Sequence, residues 1–249
     1  MNSDNRINIL GVRVSAVNPA LAVEFVKGMV THRQKGYICV APVSTLVDCQ
    51  RIANYREIIN QAAMVTPDGA PVALLCRLKG AKEVSRTYGP DLMRDLCQQE
   101  GLKHFFYGGT DKVLENLKIK LKEKNPSIDI VGSYAPAFGA QANLESSAII
   151  DMINASSADI VWVALGSPKQ DFWMSLHRPL LNAPVIVGVG AAFDFLSGAK
   201  AQAPRWMQRC SLEWLFRLCC EPKRLWRRYL VGNTLFIFYI LRDIFKKDQ

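Results

Sequence analysis

Several chemistries are missing from this chain. Its seven cysteines (Cys39, Cys49, Cys76, Cys97, Cys210, Cys219 and Cys220) form no Cys-x-x-Cys pair, and most lie inside apolar runs. The odd count, with no secretion signal in Met1-Asn-Ser-Asp-Asn-Arg6, predicts reduced, buried thiols in a cytoplasmic protein. The three histidines, His32, His104 and His177, lack ligand spacing, and no two aspartates stand as Asp-x-Asp, so no metal is expected. No Gly-x-Ser-x-Gly elbow supports a Ser–His–Asp hydrolase. Neither Gly-x-Gly-x-x-Gly spacing nor a P-loop lysine accompanies the glycine turns, so no dinucleotide or ATPase reading is licensed. The apolar run 235–241 is far below the roughly 18–20 residues that cross a bilayer. Internal repeats and low-complexity linkers are absent as well.

What remains is a globular chain of 249 residues, 49% hydrophobic, with a mean hydropathy of +0.05. Its charge is uneven. Residues 200–249 hold eleven Lys and Arg against four Asp and Glu, so +7 of the total +9 lies in the last fifth. The other 199 residues carry twenty basic and eighteen acidic side chains. A neutral body with a cationic tail does not fit the simplest nucleic-acid binder, which needs a globally basic surface.

The first two hundred residues alternate short β-rich runs with helical patterns. Strands are expected at 7–14, 36–41, 63–66, 103–107, 129–132, 160–165 and 185–189. Helices are expected at 19–33, 44–61, 70–78, 91–100, 111–124, 144–155 and 169–181. That order predicts an α/β core over residues 1–203, with a mostly parallel, Rossmann-like sheet sandwiched by helices. Carboxyl ends of the strands in such sheets are where ligands bind.

Four turns at those ends carry candidate chemistry. In Gly166-Ser-Pro-Lys-Gln170 a glycine turn enters a helix, and Lys169 and Gln170 supply a cation and an amide for an anionic ligand. The alternative is a well-capped connection with Lys169 in solvent. Thr66-Pro-Asp-Gly69 places Asp68 after a short strand, either as part of an ordinary turn or as a general base beside a ligand. Phe105-Phe-Tyr-Gly108-Gly109-Thr110 either cradles a diphosphate with backbone N–H groups or simply turns the chain. Asp194, after Gly188-Val-Gly-Ala-Ala-Phe193, either caps a turn or accepts hydrogen bonds from a sugar or base.

Beyond Pro204 the texture changes. Arginines and aromatics share helical spacing through 205–217 and 222–229, and an apolar stretch follows. A basic, aromatic, amphipathic segment suits the plane of an anionic membrane surface. The alternative is packing on the body or on a second copy of the chain in a homo-oligomer. Without a metal, a leaving diphosphate needs cationic side chains, and this segment has them.

In order, Thr66-Pro-Asp-Gly-Ala-Pro71, Arg86-Thr-Tyr-Gly-Pro-Asp-Leu-Met93, Phe106-Tyr-Gly-Gly109, Ala164-Leu-Gly-Ser-Pro-Lys-Gln170, Gly188-Val-Gly-Ala-Ala-Phe-Asp194, Ala203-Pro-Arg-Trp206, Leu212-Glu-Trp-Leu-Phe-Arg217 and Glu221-Pro-Lys-Arg-Leu-Trp-Arg-Arg-Tyr229 resemble the WecG/TagA/CpsF family of bacterial glycosyltransferases. The resemblance runs from about Ile7 to Tyr229. It implies inverting, metal-independent transfer of a hexose from a UDP-sugar to a polyprenyl-diphosphate-linked acceptor in cell-surface polysaccharide or exopolysaccharide synthesis. No cofactor is implied. The protein is then expected on the inner face of the cytoplasmic membrane, with the appendage 204–249 closing over the site. By the same resemblance Asp68 is the catalytic base and Gln170 an amide near the donor sugar. Arg86, Arg217, Arg224 and Arg227 hold diphosphates, while Gly108, Gly109, Lys169 and Asp194 belong to the donor site. Many members carry Thr-x-Asn after the second strand. Here that stretch reads Pro42-Val-Ser44-Thr45, so Ser44 or Thr45 is expected to supply the polar contact and the donor is an N-acetylmannosamine-type or glucose-type hexose. Two rival readings remain. A non-catalytic nucleotide-sugar scaffold would not depend on Asp68, and a nucleic-acid binder using the Arg/Trp tail would bind oligonucleotides in preference to anionic vesicles.

Overall fold

The computed structural model describes residues 5–137 and 145–247. Its elements are β1 (Arg6–Ile9), β2 (Val12–Ser15), α1 (Pro19–Thr31), β3 (Gly36–Ala41), α2 (Val43–Asp48), α3 (Tyr55–Gln61), β4 (Met64–Pro67), α4 (Ala70–Leu78), α5 (Gly89–Leu96), β5 (Lys103–Gly108), α6 (Asp111–Lys124), β6 (Asp129–Tyr134), α7 (Ser147–Ala155), β7 (Ile160–Ala164), α8 (Lys169–His177), β8 (Val185–Gly188) and α9 (Ala192–Leu196). Then follow α10 (Arg205–Arg209), α11 (Glu213–Cys220), α12 (Pro222–Trp226), a π-helical turn (Arg227–Val231) and α13 (Gly232–Lys247).

Strands β3 to β8 form one six-stranded parallel sheet in the order β4-β3-β8-β7-β5-β6. Parallel strands covered on both faces need continuous apolar runs, and Ile160-Val-Trp-Val163 is buried throughout. One apolar layer lies under α2, α3, α4, α7, α8 and Phe236 of α13. The other lies under α1, α5, α6 and α9. Trp173 fills the first layer and Trp162 the second, and large apolar side chains buried this way stabilise the fold by roughly 1.5–3 kcal/mol each.

Three expectations need correction. Residues 7–14 do not form one strand. Leu10 and Gly11 take φ of 54° and 81° and turn the chain into the antiparallel hairpin β1–β2, outside the main sheet. Residues 44–61 do not form one helix, because Asn54 sits at φ 60° and separates α2 from α3. Four cysteines are buried, but Cys210, Cys219 and Cys220 are exposed. The expected helix start at residue 144 and the segment 1–4 lie outside the described residues. The helix α9 was not expected. Past Pro204 the chain is helical, and α13 packs against α2. No helix among the described residues is long and apolar enough to cross a membrane.

Candidate active site

The site is built where β4 ends. Asp68 follows directly, and its backbone N–H donates to the Ala41 carbonyl at the end of β3 (3.3 Å). Gly69 then turns at φ 84°, a conformation that favours glycine, and starts α4. The loop after α4 returns to the same edge, fixed by the Thr87 N–H donating to the Pro67 carbonyl (2.9 Å). This stitch places the Arg86 Nε 3.6 Å from Asp68 Oδ1. The Arg86 guanidinium lies 4.2 Å from the centroid of the Tyr88 ring. Its Nη2 pairs with Glu213 Oε2 of α11, and the Tyr88 hydroxyl donates to Glu213 Oε1 (2.6 Å).

A cavity of about 540 Å³ opens over this cluster. Asp68, Arg86, Tyr88 and Ser44 line its core side, and Glu213, Trp214, Arg217, Arg228 and Tyr229 line the other. Phe236 and Ile237 of α13 complete it with apolar surface. Arg228 Nε donates to Ser44 Oγ at 3.1 Å, joining the π-helical turn to the mouth of the sheet. Burial pushes the Asp68 carboxyl up to about 6, and Glu213 adds to the rise against the pull of Arg86, Arg217 and Arg228. Burial also works against the Arg86 charge, but Asp68 and Glu213 more than offset it, so Arg86 stands above its ordinary value. The result is an acid held near neutrality among cations, which is the state a general base needs.

The other expected site residues are spread around this centre. Arg217 lines the cavity and also lies 5.4 Å from the Phe195 ring centroid. Thr45 is buried, and its hydroxyl has no partner within the described structure. Arg227 lines an adjoining cavity of about 440 Å³ that shares Ser44 and Arg228 with the first. Arg224 is exposed and paired with Glu221. Gln170 is buried away from the Asp68 cavity. Its Oε1 accepts from the Gly190 N–H (2.9 Å) and its Nε2 donates to Ser167 Oγ (3.2 Å), so it ties the loop after β7 to the loop after β8. Lys169, at the start of α8, is half-buried. Asp194 is paired with Lys200 at 2.8 Å, and Lys200 also reaches Glu221 at 3.4 Å.

Gly108 ends β5 and Gly109 follows it. A Cβ on Gly108 would come within 2.7 Å of the Ala164 carbonyl oxygen, and φ there is 121°, so this position needs glycine on both counts. Thr110 then caps α6 by accepting from the Val113 N–H (3.3 Å). Among the described residues no group of three or more His, Cys, Asp or Glu side chains could hold a metal ion.

Residues 7–249 match the model of the glycosyl transferase WecG/TagA/CpsF family. The chain belongs to that family. It is similar to the N-acetylglucosaminyldiphosphoundecaprenol N-acetyl-beta-D-mannosaminyltransferase of Bacillus spizizenii, 35% identical over 71% of this chain and 67% of that protein. The Bacillus subtilis protein of the same name is 31% identical over 71% of this chain and 68% of its own length. The family assignment made from the ordered motifs therefore holds over nearly the whole chain.

In this WecG/TagA/CpsF glycosyltransferase the cavity also contains residues that motif reading passed over. Tyr88, Trp214, Arg228 and Tyr229 each lie inside a quoted motif, so their motif membership was the available signal. Glu213 is the least expected, an acid within the basic segment that is only 8% exposed.

Proposed function

We propose that this protein is an inverting, metal-independent glycosyltransferase. It transfers an N-acetylmannosamine-type hexose from a UDP-sugar to a polyprenyl-diphosphate-linked N-acetylglucosamine acceptor that feeds cell-surface polysaccharide synthesis. The observation that carries this reading is the Asp68 carboxyl, raised to about 6 in a cavity lined by Arg86, Arg217 and Arg228. Asp68 takes the proton of the acceptor hydroxyl as that oxygen attacks the anomeric carbon. The bond from that carbon to the UDP oxygen breaks, and the new bond forms on the opposite face. Arg217 and Arg228 take up the charge that collects on the leaving diphosphate, the part a divalent cation plays in other transferases. The names of the two relatives support N-acetylmannosamine as donor sugar and a GlcNAc-diphosphate lipid as acceptor.

The lipid places the reaction at a membrane. The side of α13 turned away from the core supports a peripheral attachment there, since Phe238 and Phe245 are 57% and 69% exposed. The deciding experiment incubates the protein with a polyprenyl-diphosphate-GlcNAc analogue and a panel of UDP-sugars, with and without EDTA, and measures UDP release. Acceptor-dependent release from UDP-N-acetylmannosamine, unchanged by EDTA, is expected. Release from UDP-glucose instead would replace the donor, and activity restored only by Mg²⁺ or Mn²⁺ would remove the metal-free mechanism.

A further inference from the structure

Among the residues lining the Asp68 cavity, Glu213 is the second acid, and it arrives from a segment more than a hundred residues away in sequence. Its two oxygens are both engaged, one by the Tyr88 hydroxyl and one by Arg86 Nη2. Arg86 is therefore held from several sides, by Glu213 at Nη2, by the Tyr88 ring against its plane, and by the Thr87–Pro67 backbone bond beside it. In that position its Nε faces Asp68 Oδ1 at 3.6 Å, beyond the roughly 2.7–3.2 Å of a good N–H···O bond. The Nε has no hydrogen-bond partner in the described structure. Guanidinium–carboxylate pairs are frequently bidentate. Here one arm, Nη2, is already held by Glu213.

We propose that Glu213 is a positioning residue of the transfer reaction: by holding Arg86 Nη2 it keeps Arg86 from pairing fully with Asp68, and leaves the Asp68 carboxylate free to accept the acceptor proton. The inference rests on Asp68 being the base proposed above. Asp68 is faced by Arg86 and Tyr88 from the core, by Glu213 and Arg217 from α11, and by Arg228 and Tyr229 from the π-helical turn. The three arginines favour its ionised form, and burial and Glu213 oppose it. Removing the Glu213 charge while freeing Arg86 moves both influences in one direction, toward a weaker base.

The test is the pH profile of kcat/KM for the full-length protein, with UDP-N-acetylmannosamine and a polyprenyl-diphosphate-GlcNAc analogue as substrates. Glu213→Gln is expected to move the acid limb down by about one pH unit. Its plateau kcat should fall roughly threefold to tenfold, as a weaker base transfers the proton less readily. Glu213→Asp keeps the charge and should hold the limb within a few tenths of a unit. An unmoved limb in Glu213→Gln, or an equal shift in Glu213→Asp, would overturn the proposal. Should Glu213→Gln not fold, Tyr88→Phe gives a second reading, because it leaves the Glu213 charge wholly to Arg86. Its limb should stay or rise, and a fall of about one unit would count against the idea. Asp68→Asn separates the two levels. If that variant keeps the wild-type rate, the base assignment itself fails; if it is inactive while Glu213→Gln keeps the wild-type limb, only the role of Glu213 fails.

Discussion

Replacing Asp68 by Asn should make the protein more stable and less active, with both effects arising from the same burial. The Asp68 carboxyl stands at about 6 in the folded protein against 3.8 for an ordinary aspartate, with burial as the leading cause. Because the folded value is raised, the unfolded chain releases this proton more readily. The Asp68 contribution to stability is therefore fully present below pH 3.8 and is lost as pH rises through about 6. At 1.36 kcal/mol for each pH unit between the two values, the loss is ~3 kcal/mol, of which about 2.5 kcal/mol falls between pH 4 and pH 8. Asn has no proton to lose, so its stability relative to wild type should climb by that amount across the same range. Urea unfolding at pH 4, 6 and 8 measures it. The same variant has no base, and its turnover should fall by at least a hundredfold at every pH. In the wild type, kcat/KM should drop tenfold per pH unit below about 6, as the carboxylate protonates. A stability difference that stays flat from pH 4 to pH 8 would refute the raised acid, and near wild-type turnover would refute its catalytic role.

The remaining predictions concern the walls around it. Arg228→Ala removes the cation held at Ser44 and should lower kcat/KM by roughly a hundredfold, with Arg228→Lys recovering only part; a loss of less than threefold would take Arg228 out of the reaction. Phe238→Asp with Phe245→Asp should reduce sedimentation with anionic phospholipid vesicles by more than about tenfold and leave turnover of a short-chain soluble acceptor intact. Equal vesicle binding would mean that α13 is not the attachment. Gly108→Ala forces a methyl against the backbone of β7 and should cost about 2–4 kcal/mol in chemical unfolding; an unchanged midpoint would show that the spacing of β5 and β7 gives way.

The sheet was legible because its inner strands β3, β7 and β8 are buried and read as continuous apolar runs between glycine-containing turns. The hairpin β1–β2 was hidden by Leu10, since a bulky residue at φ 54° gives no turn signal and the pattern from Ile7 to Val14 reads as one strand. The break after α2 was hidden for the same reason, because Asn54 turns left-handed with no glycine or proline beside it. Asp68 was legible from its place after a strand and before a glycine. Which arginine of the pair Arg227–Arg228 enters the cavity was not. The π-helical turn there shifts the register of the helix, so 3.6-residue spacing no longer says which neighbour faces inward. Glu213 was missed because one acid in a basic segment reads as a solvated counter-charge until its two partners are brought in from the core.

Helix α13 packs Phe236 into the core with Leu235, Tyr239 and Ile240 partly buried beside it, and turns Phe238 and Phe245 outward. Any surface lying along that outward side is separated from the apolar layer over the sheet by little more than one helix diameter, about 10 Å. Against such a surface the helix would be a spacer of fixed thickness as well as a wall. A molecule anchored in that surface would present to Asp68 only those groups that project from it by about that length, so reach as well as chemistry would select the acceptor.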